Sequence, residues 1–314
     1  MTRQQEITIL GSGAMGSYYG AQLQAAGADV LLLDIWQEHI DRINTDGLLL
    51  TRPDASEDVL RMRAAISDAD SHRLADLVIV FVDTNALDAA LPVISTLLKP
   101  EGCVLTLQNG IGNVEKLSAA IGQDRVIAGT SMNSCELIGP GHVRHVIHGS
   151  TVLGEPGGNE VSPRVRALGA MLATADGKIE TVADIMPHVW SKLVINCAVN
   201  PLCALTGLLP GQLQEVAETK ALQAEIVAEI EALCAAKAVT LPEKDPIGEV
   251  WQKSRGGNNK PSMVQHLDRG RKTEIDALNG AVARMANEAG TSAPANTTIT
   301  RLVKGLESVT ATGV

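Results

Sequence analysis

The 314-residue chain is poor in aromatic residues, with three Trp, two Tyr and one Phe. So few rings argue against the stacking platforms that hold single-stranded nucleic acids. Positive charge is also short: 26 Lys and Arg stand against 36 Asp and Glu, a formal net charge of −10. A surface of that sign repels phosphate backbones and anionic headgroups alike. The five cysteines (Cys103, Cys135, Cys197, Cys203, Cys234) form no CxxC pair, and a chain of this length needs no disulfide staples. They are expected as buried, reduced thiols. The seven histidines include no HExxH, so no metal site is expected. His142, His145 and His148 sit in strand-like sequence, where alternation sets His145 opposite the other two and surface positions are expected. No apolar run approaches the roughly 18 residues of a membrane span. The start of the chain lacks the basic and apolar regions of a secretory leader. A soluble, cytoplasmic protein with no nucleic-acid or membrane partner is expected.

What the chain does contain is a hydrophobic content of 45% and 29 glycines, in a length that allows two domains. Glu6–Leu10 is a short β-branched run that reads as a buried strand, Asp29–Leu33 a second one, and Leu77–Val82 and Cys103–Leu107 are further apolar strands, each followed by a helical pattern. That alternation predicts right-handed βαβ units and a parallel sheet. Strands near Val126–Gly129, Gly141–His148 and Ser150–Leu153 would extend the sheet or turn antiparallel. The pattern changes near Thr181. Long helices are expected over Met186–Leu205, Leu213–Ala238 and Ser262–Ala289, with an exposed Pro-, Gly- and Asn-rich connection before the last.

The first strand runs into Gly11-Ser12-Gly13-Ala14-Met15-Gly16 at the head of a helix. Gly11 permits the tight turn, Gly13 lets backbone approach a pyrophosphate, and Gly16 lets helix and strand close together. Asp34 follows Gly16 by 18 residues, at the end of the second strand, where an acid can hold both ribose hydroxyls. The fold class expected is therefore an α/β Rossmann-type dinucleotide-binding domain, residues 1–181, followed by an all-helical domain, residues 182–314. A carboxylate at Asp34 repels a 2′-phosphate, and Ile35 and Trp36 offer no cation, so NAD(H) is expected over NADP(H), the alternative. Asp34 could also cap the following helix.

In the helical half, Lys192, Asn196 and Asn200 recur at four-residue spacing, one polar stripe among Leu, Val, Ile and Cys. Such groups are costly to bury unless something satisfies them, so the stripe is a candidate site. Pro201 removes one amide from the same helix and frees carbonyls nearby. Ser262, at the start of the last long helix, fits a capping box with Gln265. Glu274, in its middle, is flanked by Arg271, Lys272 and Asp276 and can belong to a solvated salt-bridge face. Asn109 follows a strand at the sheet edge where ligands bind, whereas Asn113 heads the helix that begins NVEKL.

The glycine segment, LQNGIG at 107–112, KLVINCAVNPL at 192–202 and PSMVQHLDRGRKTEIDALNG at 261–280 occur in this order. With them the chain resembles the ketopantoate reductase (2-dehydropantoate 2-reductase) family over nearly its whole length. The resemblance implies an NAD(P)H-dependent reductase of a small 2-oxo acid, held between a Rossmann domain and a helical domain. It implies Lys192 as general acid, Asn196 as its orienting partner, and Glu274 as anchor of the substrate hydroxyl. Asn200 and Ser262 would bind substrate, Ser262 by holding the substrate's carboxylate, and Asn109 would lie between nicotinamide and substrate. Two departures stand out. Family members often carry Lys after the strand LVIVFV, where this chain has Asp83-Thr84-Asn85, and NADP-using members often carry a basic residue after the second strand, where it has Ile35. Both leave room for an NAD-dependent 2-hydroxy acid dehydrogenase of the same family. A nucleotide sensor that kept the fold without the chemistry would be expected to lose the polar groups just named. The alanine-rich segment Leu222–Ala238 is a candidate face for a homodimer.

Overall fold

The structure is a computed structural model and describes residues 4–67, 73–174 and 177–312, with side chains as far as Val309. The chain divides into two compact units, Met1–Gln108 with Asn113–Met186, and Asn109–Gly112 with Pro187–Val314.

The first unit alternates strands and helices: β1 (Glu6–Leu10), α1 (Ala14–Ala25), β2 (Asp29–Asp34), α2 (Gln37–Asp46), β3 (Leu48–Thr51), β4 (Glu57–Leu60), β5 (Arg63–Ile66) and β6 (Ala75–Val80). It continues with α3 (Leu87–Leu97), β7 (Leu98–Thr106), α4 (Asn113–Ile121), β8 (Val126–Ser131), β9 (Ser134–Gly139), β10 (His142–Ile147), β11 (Ser150–Glu155), α5 (Pro163–Thr174) and β12 (Lys178–Asp184). Eight strands form one sheet in the order β12-β11-β8-β7-β6-β1-β2-β5, parallel except where β11 meets β8. The inner strands are covered on both faces and read as mostly apolar runs, with Ile7, Ile9, Leu32, Ile79 and Leu105 fully buried. From β1 the chain moves outward to β2 and β5, then returns to β6 on the other side. That reversal opens a crevice at the carboxyl ends of β1 and β6, where open α/β sheets bind ligands.

The later strands do more than extend this sheet. β3, β4, β9 and β10 form a separate four-stranded sheet, order β4-β3-β10-β9. His145 on β10 is a correction to the surface reading: it is only 4% exposed, with its ring 4.3 Å from that of Tyr18. β10 has a register shift between His145 and Ile147, so strict alternation fails there. β12 also carries the first unit past residue 181, the expected boundary, because its KIETVAD sequence pairs parallel to β11 despite its weak apolar pattern.

The second unit holds α6 (Met186–Thr206), α7 (Ala217–Ala236), α8 (Pro246–Ser254), α9 (Ser262–Asp268), α10 (Asn279–Glu288) and α11 (Pro294–Thr312). Two expectations change here. The connection before Ser262 contains α8, whose first turn is capped by Asp245 through Gly248 N at 3.0 Å. The expected helix Ser262–Ala289 is two helices, broken at Gly270 in the left-handed region (φ +64°) and by a 3-10 turn at Ile275–Ala277. Among the described residues, α6 alone is long and apolar enough to cross a bilayer, and 67% of its most apolar window is buried in the fold. The apolar face of α7 (Ile226, Val227, Ile230, Leu233) is fully buried inside its own unit. All five cysteines are free, as expected, and all but Cys103 are buried.

Candidate active site

In the first unit, β1 delivers the glycine segment to the reversal point. Gly11 has φ +93°, and a Cβ there would lie 2.6 Å from the Val82 backbone nitrogen. A Cβ on Gly16 would overlap the Gly11 carbonyl oxygen, so only glycine lets α1 close onto the turn. Gly13 is different: a Cβ there would meet nothing within 4 Å, and no side chain caps α1. The first amides of α1, at Ala14, Met15 and Gly16, have no acceptor inside the helix and carry its positive dipole end. An open cradle of free amides beside a residue without a side chain fits a pyrophosphate. Ser12 contributes differently, since it is fully buried and its Oγ donates to Asp34 Oδ2 at 3.4 Å.

Asp34 Oδ1 accepts from the Ile35 and Trp36 amides at 2.8 and 3.1 Å. It does not cap α2, which begins after Trp36 without a side-chain cap. Three basic residues of the flanking elements are engaged elsewhere: Arg42 pairs with Asp46, Arg63 with Asp29 at the start of β2, and Arg61 donates to Thr45 O. Asp83, where family members often carry Lys, accepts from Asn85 N at 2.9 Å and caps a single turn of 3-10 helix.

In the second unit the polar stripe lies on α6. Asn109 Nδ2 donates to Glu274 Oε2 at 3.0 Å, and Asn196 Nδ2 reaches Asn109 Oδ1 at 3.5 Å. Glu274 therefore belongs to a polar cluster on a turn, and not to the middle of a helix or a solvated salt-bridge face. The turn is anchored from α11: Glu307 Oε1 accepts from both the Thr273 amide and its hydroxyl. The 109–112 loop is stitched to the same turn by Ile111 N donating to Ala277 O at 3.0 Å. Gly110 (φ +85°) must be glycine, because a Cβ would lie 2.5 Å from that carbonyl oxygen.

Lys192 is half-buried on α6 and makes no hydrogen bond or ion pair among the described residues. Desolvation pulls its pKa down to about 8, while the negative charge of Glu274 pulls the other way. The result is an ammonium poised near neutrality, with donors free for an oxygen-rich ligand. Asn200 is 8% exposed, two turns along the helix from Lys192. Ser262 begins α9 without capping it, so the capping box is not made, and Gln265 Nε2 donates instead to Lys260 O. Among the described residues, Ser262 shares no hydrogen bond with Asn109, Asn196 or Glu274.

Behind the stripe lies a buried network that the motif reading missed. Pro201 deprives the Cys197 carbonyl of its intrahelical donor. Asn279 Nδ2 donates to that oxygen at 3.2 Å, and Gln223 Nε2 serves the next carbonyl, Ala198 O, at 3.2 Å. Asn279 is braced in turn by Asn296 Oδ1 at 3.0 Å, and Asn296 by Glu229 on α7. The available signal was Pro201 itself, since a proline inside a helix announces an orphan acceptor four residues back. Among the described residues no group of His, Cys, Asp and Glu could hold a metal ion; His72 lies outside them.

The chain matches "Ketopantoate reductase PanE/ApbA" over residues 7–158 and its C-terminal counterpart over residues 184–307. A 2-dehydropantoate 2-reductase of Halobacterium salinarum is 31% identical over 302 residues, covering 95% of this chain and 97% of its own. The structure is similar to D-mandelate dehydrogenase with NADH and anilino(oxo)acetate, at TM-score 0.91 and 28% identity, covering 97% of this chain and 99% of that one. It is also similar to a PanE/ApbA family ketopantoate reductase of Ralstonia eutropha JMP134, at TM-score 0.88 and 32% identity, with 97% and 99% covered. A glycine turn with open amides at the sheet reversal, a helical unit bearing the lysine and asparagine stripe, and matches to both halves converge: the chain belongs to the ketopantoate reductase family and is an NAD(P)-dependent oxidoreductase with a Rossmann fold.

Proposed function

We propose that the protein reduces the 2-oxo group of ketopantoate to the hydroxyl of pantoate, with NADH as the preferred reductant. The observation that carries the reading is Lys192, a desolvated ammonium with unused donors beside Glu274 and the Asn196–Asn109 pair. The cofactor, when bound, supplies the hydride that adds to the substrate carbonyl carbon. Lys192 gives its proton to the carbonyl oxygen and holds the negative charge that develops there. Asn196, tied to Asn109, orients the site, and Asn200 and Ser262 offer hydrogen bonds to the hydroxyl and carboxylate of the substrate. Glu274 anchors the substrate hydroxyl and raises the proton affinity of Lys192. Gly11 through Gly16 hold the pyrophosphate, and Asp34 takes the ribose hydroxyls, at the expense of a 2′-phosphate.

A second reading is an NAD-dependent 2-hydroxy acid dehydrogenase acting on another small branched substrate. Asp83 supports it, because an acid replaces the lysine that the family often offers to its anionic ligands. The similarity to D-mandelate dehydrogenase supports it as well. The deciding experiment follows nicotinamide absorbance with ketopantoate and with a panel of 2-oxo acids, using NADH and NADPH side by side. Fastest turnover of ketopantoate with NADH is expected. Faster turnover of another 2-oxo acid selects the second reading, and turnover with NADPH alone overturns the cofactor assignment.

A further inference from the structure

We propose that His39 is a positioning residue for the dinucleotide: it holds the Ser12 carbonyl inward and so turns the Gly13 amide toward the open cradle. The proposal rests on the glycine segment being the NAD(P) site.

His39 lies on α2 and is 1% exposed. Both ring nitrogens are in use. The Gly141 amide donates to Nδ1 at 3.0 Å, and Nε2 lies 2.8 Å from Ser12 O. A carbonyl only accepts and an amide N–H only donates, so the ring must be neutral with its proton on Nε2. Burial favours that neutral form, against the Ser12 carbonyl and the charge of Asp34 on β2. The Trp36 ring stacks on the imidazole at 5.4 Å, nearly parallel, and limits its rotation.

Ser12 O is gripped a second time by Ser17 Oγ, at 2.6 Å. All peptides in the described structure are trans, and a trans peptide carries its C=O and N–H on opposite sides. With the Ser12 carbonyl drawn toward the buried imidazole, the Gly13 N–H points away from it. Gly13 is the position where nothing crowds the backbone. The far end of the strut is Gly141, in the turn between β9 and β10, at φ +68°. His39 thus ties the glycine turn to the four-stranded sheet, against which α1 also packs through Tyr18 and His145.

The test is calorimetric titration of the full chain with NADH, comparing wild type, His39→Gln and His39→Asn, with melting of the free protein as control. A glutamine amide reaches the Nε2 position and can still donate to Ser12 O, whereas an asparagine amide stops at the Nδ1 position and cannot. His39→Gln is expected to bind NADH nearly as wild type does. His39→Asn is expected to raise the Kd about tenfold, the loss of one well-placed hydrogen bond. Ser17→Ala, which removes the other grip, is expected to raise it in the same direction. Equal Kd values for wild type, His39→Gln and His39→Asn, whatever their melting temperatures, overturn the proposal. Wild-type protein that binds neither NADH nor NADPH overturns the reading of the loop and the proposal with it.

Discussion

The amide of Asn279 donates to the carbonyl of Cys197 across 3.2 Å, restoring to α6 the hydrogen bond that Pro201 removes. The helix that carries Lys192, Asn196 and Asn200 is thereby held in shape from α10, through a side chain that is completely buried. Replacing Asn279 with Ala leaves that acceptor buried and unpaired, a cost of about 1–3 kcal/mol. The expected result is a lower urea midpoint with an unchanged slope. In a Pro201→Ala background the helix can supply its own amide, so the Asn279→Ala penalty should shrink. A double-mutant cycle measures the difference.

Lys192 gives two pH effects of opposite sign. As a proton donor with a pKa of about 8, it should lose reductive turnover as pH rises through about 8. In the unfolded chain the lysine keeps its proton to its ordinary value of 10.5. Between the two values the unfolded state binds more protons, so the contribution of this group to stability rises with pH. Glu274→Gln removes the charge that favours the ammonium, and the activity edge should move to lower pH. Lys192→Ala should cut turnover by about 10²–10⁴-fold while leaving NADH titration unchanged. Stopped-flow rates across pH 6–10 check both variants, and an edge unmoved by Glu274→Gln would remove Glu274 from the pair.

Asp34 should set the cofactor preference. Asp34→Ala is expected to weaken NADH and to narrow the ratio of NADPH to NADH dissociation constants. In the proposed function the side chain takes part in both the ribose contact and the repulsion of a 2′-phosphate. Isothermal titration with both cofactors reads the ratio, and a constant ratio rejects the assignment.

Two glycines of one motif should respond differently. Gly13→Ala adds a methyl group into open space, so the free protein should melt as wild type does while dinucleotide affinity falls. Gly16→Ala drives a methyl group into the Gly11 carbonyl and should disturb folding itself. Melting curves of the free protein, paired with NADH titrations, separate the two.

The local chemistry of this chain was legible without a structure. Apolar runs place β1, β2, β6 and β7, because a strand buried on both faces is apolar at most of its positions. The glycine segment reads directly, because its steric demands fall on three positions of one turn. Lys192, Asn196 and Asn200 declare one helical face through spacing alone.

What the tertiary structure decided is the partnership of groups far apart in the chain. Glu274 reads as a residue of a charged helix face, yet Gly270 and the 3-10 turn break that helix and present the carboxylate to Asn109, 165 residues away. His145 reads as an exposed strand residue, but packing against Tyr18 buries it. His39 carries no sequence signal, because its role depends on Ser12 and Gly141 meeting on opposite sides of one ring. Periodicity and backbone sterics are local and can be read residue by residue. Which orphan acceptor meets which distant donor is settled only when the units fold, because burial makes every unpaired polar group costly and only close packing brings it a partner.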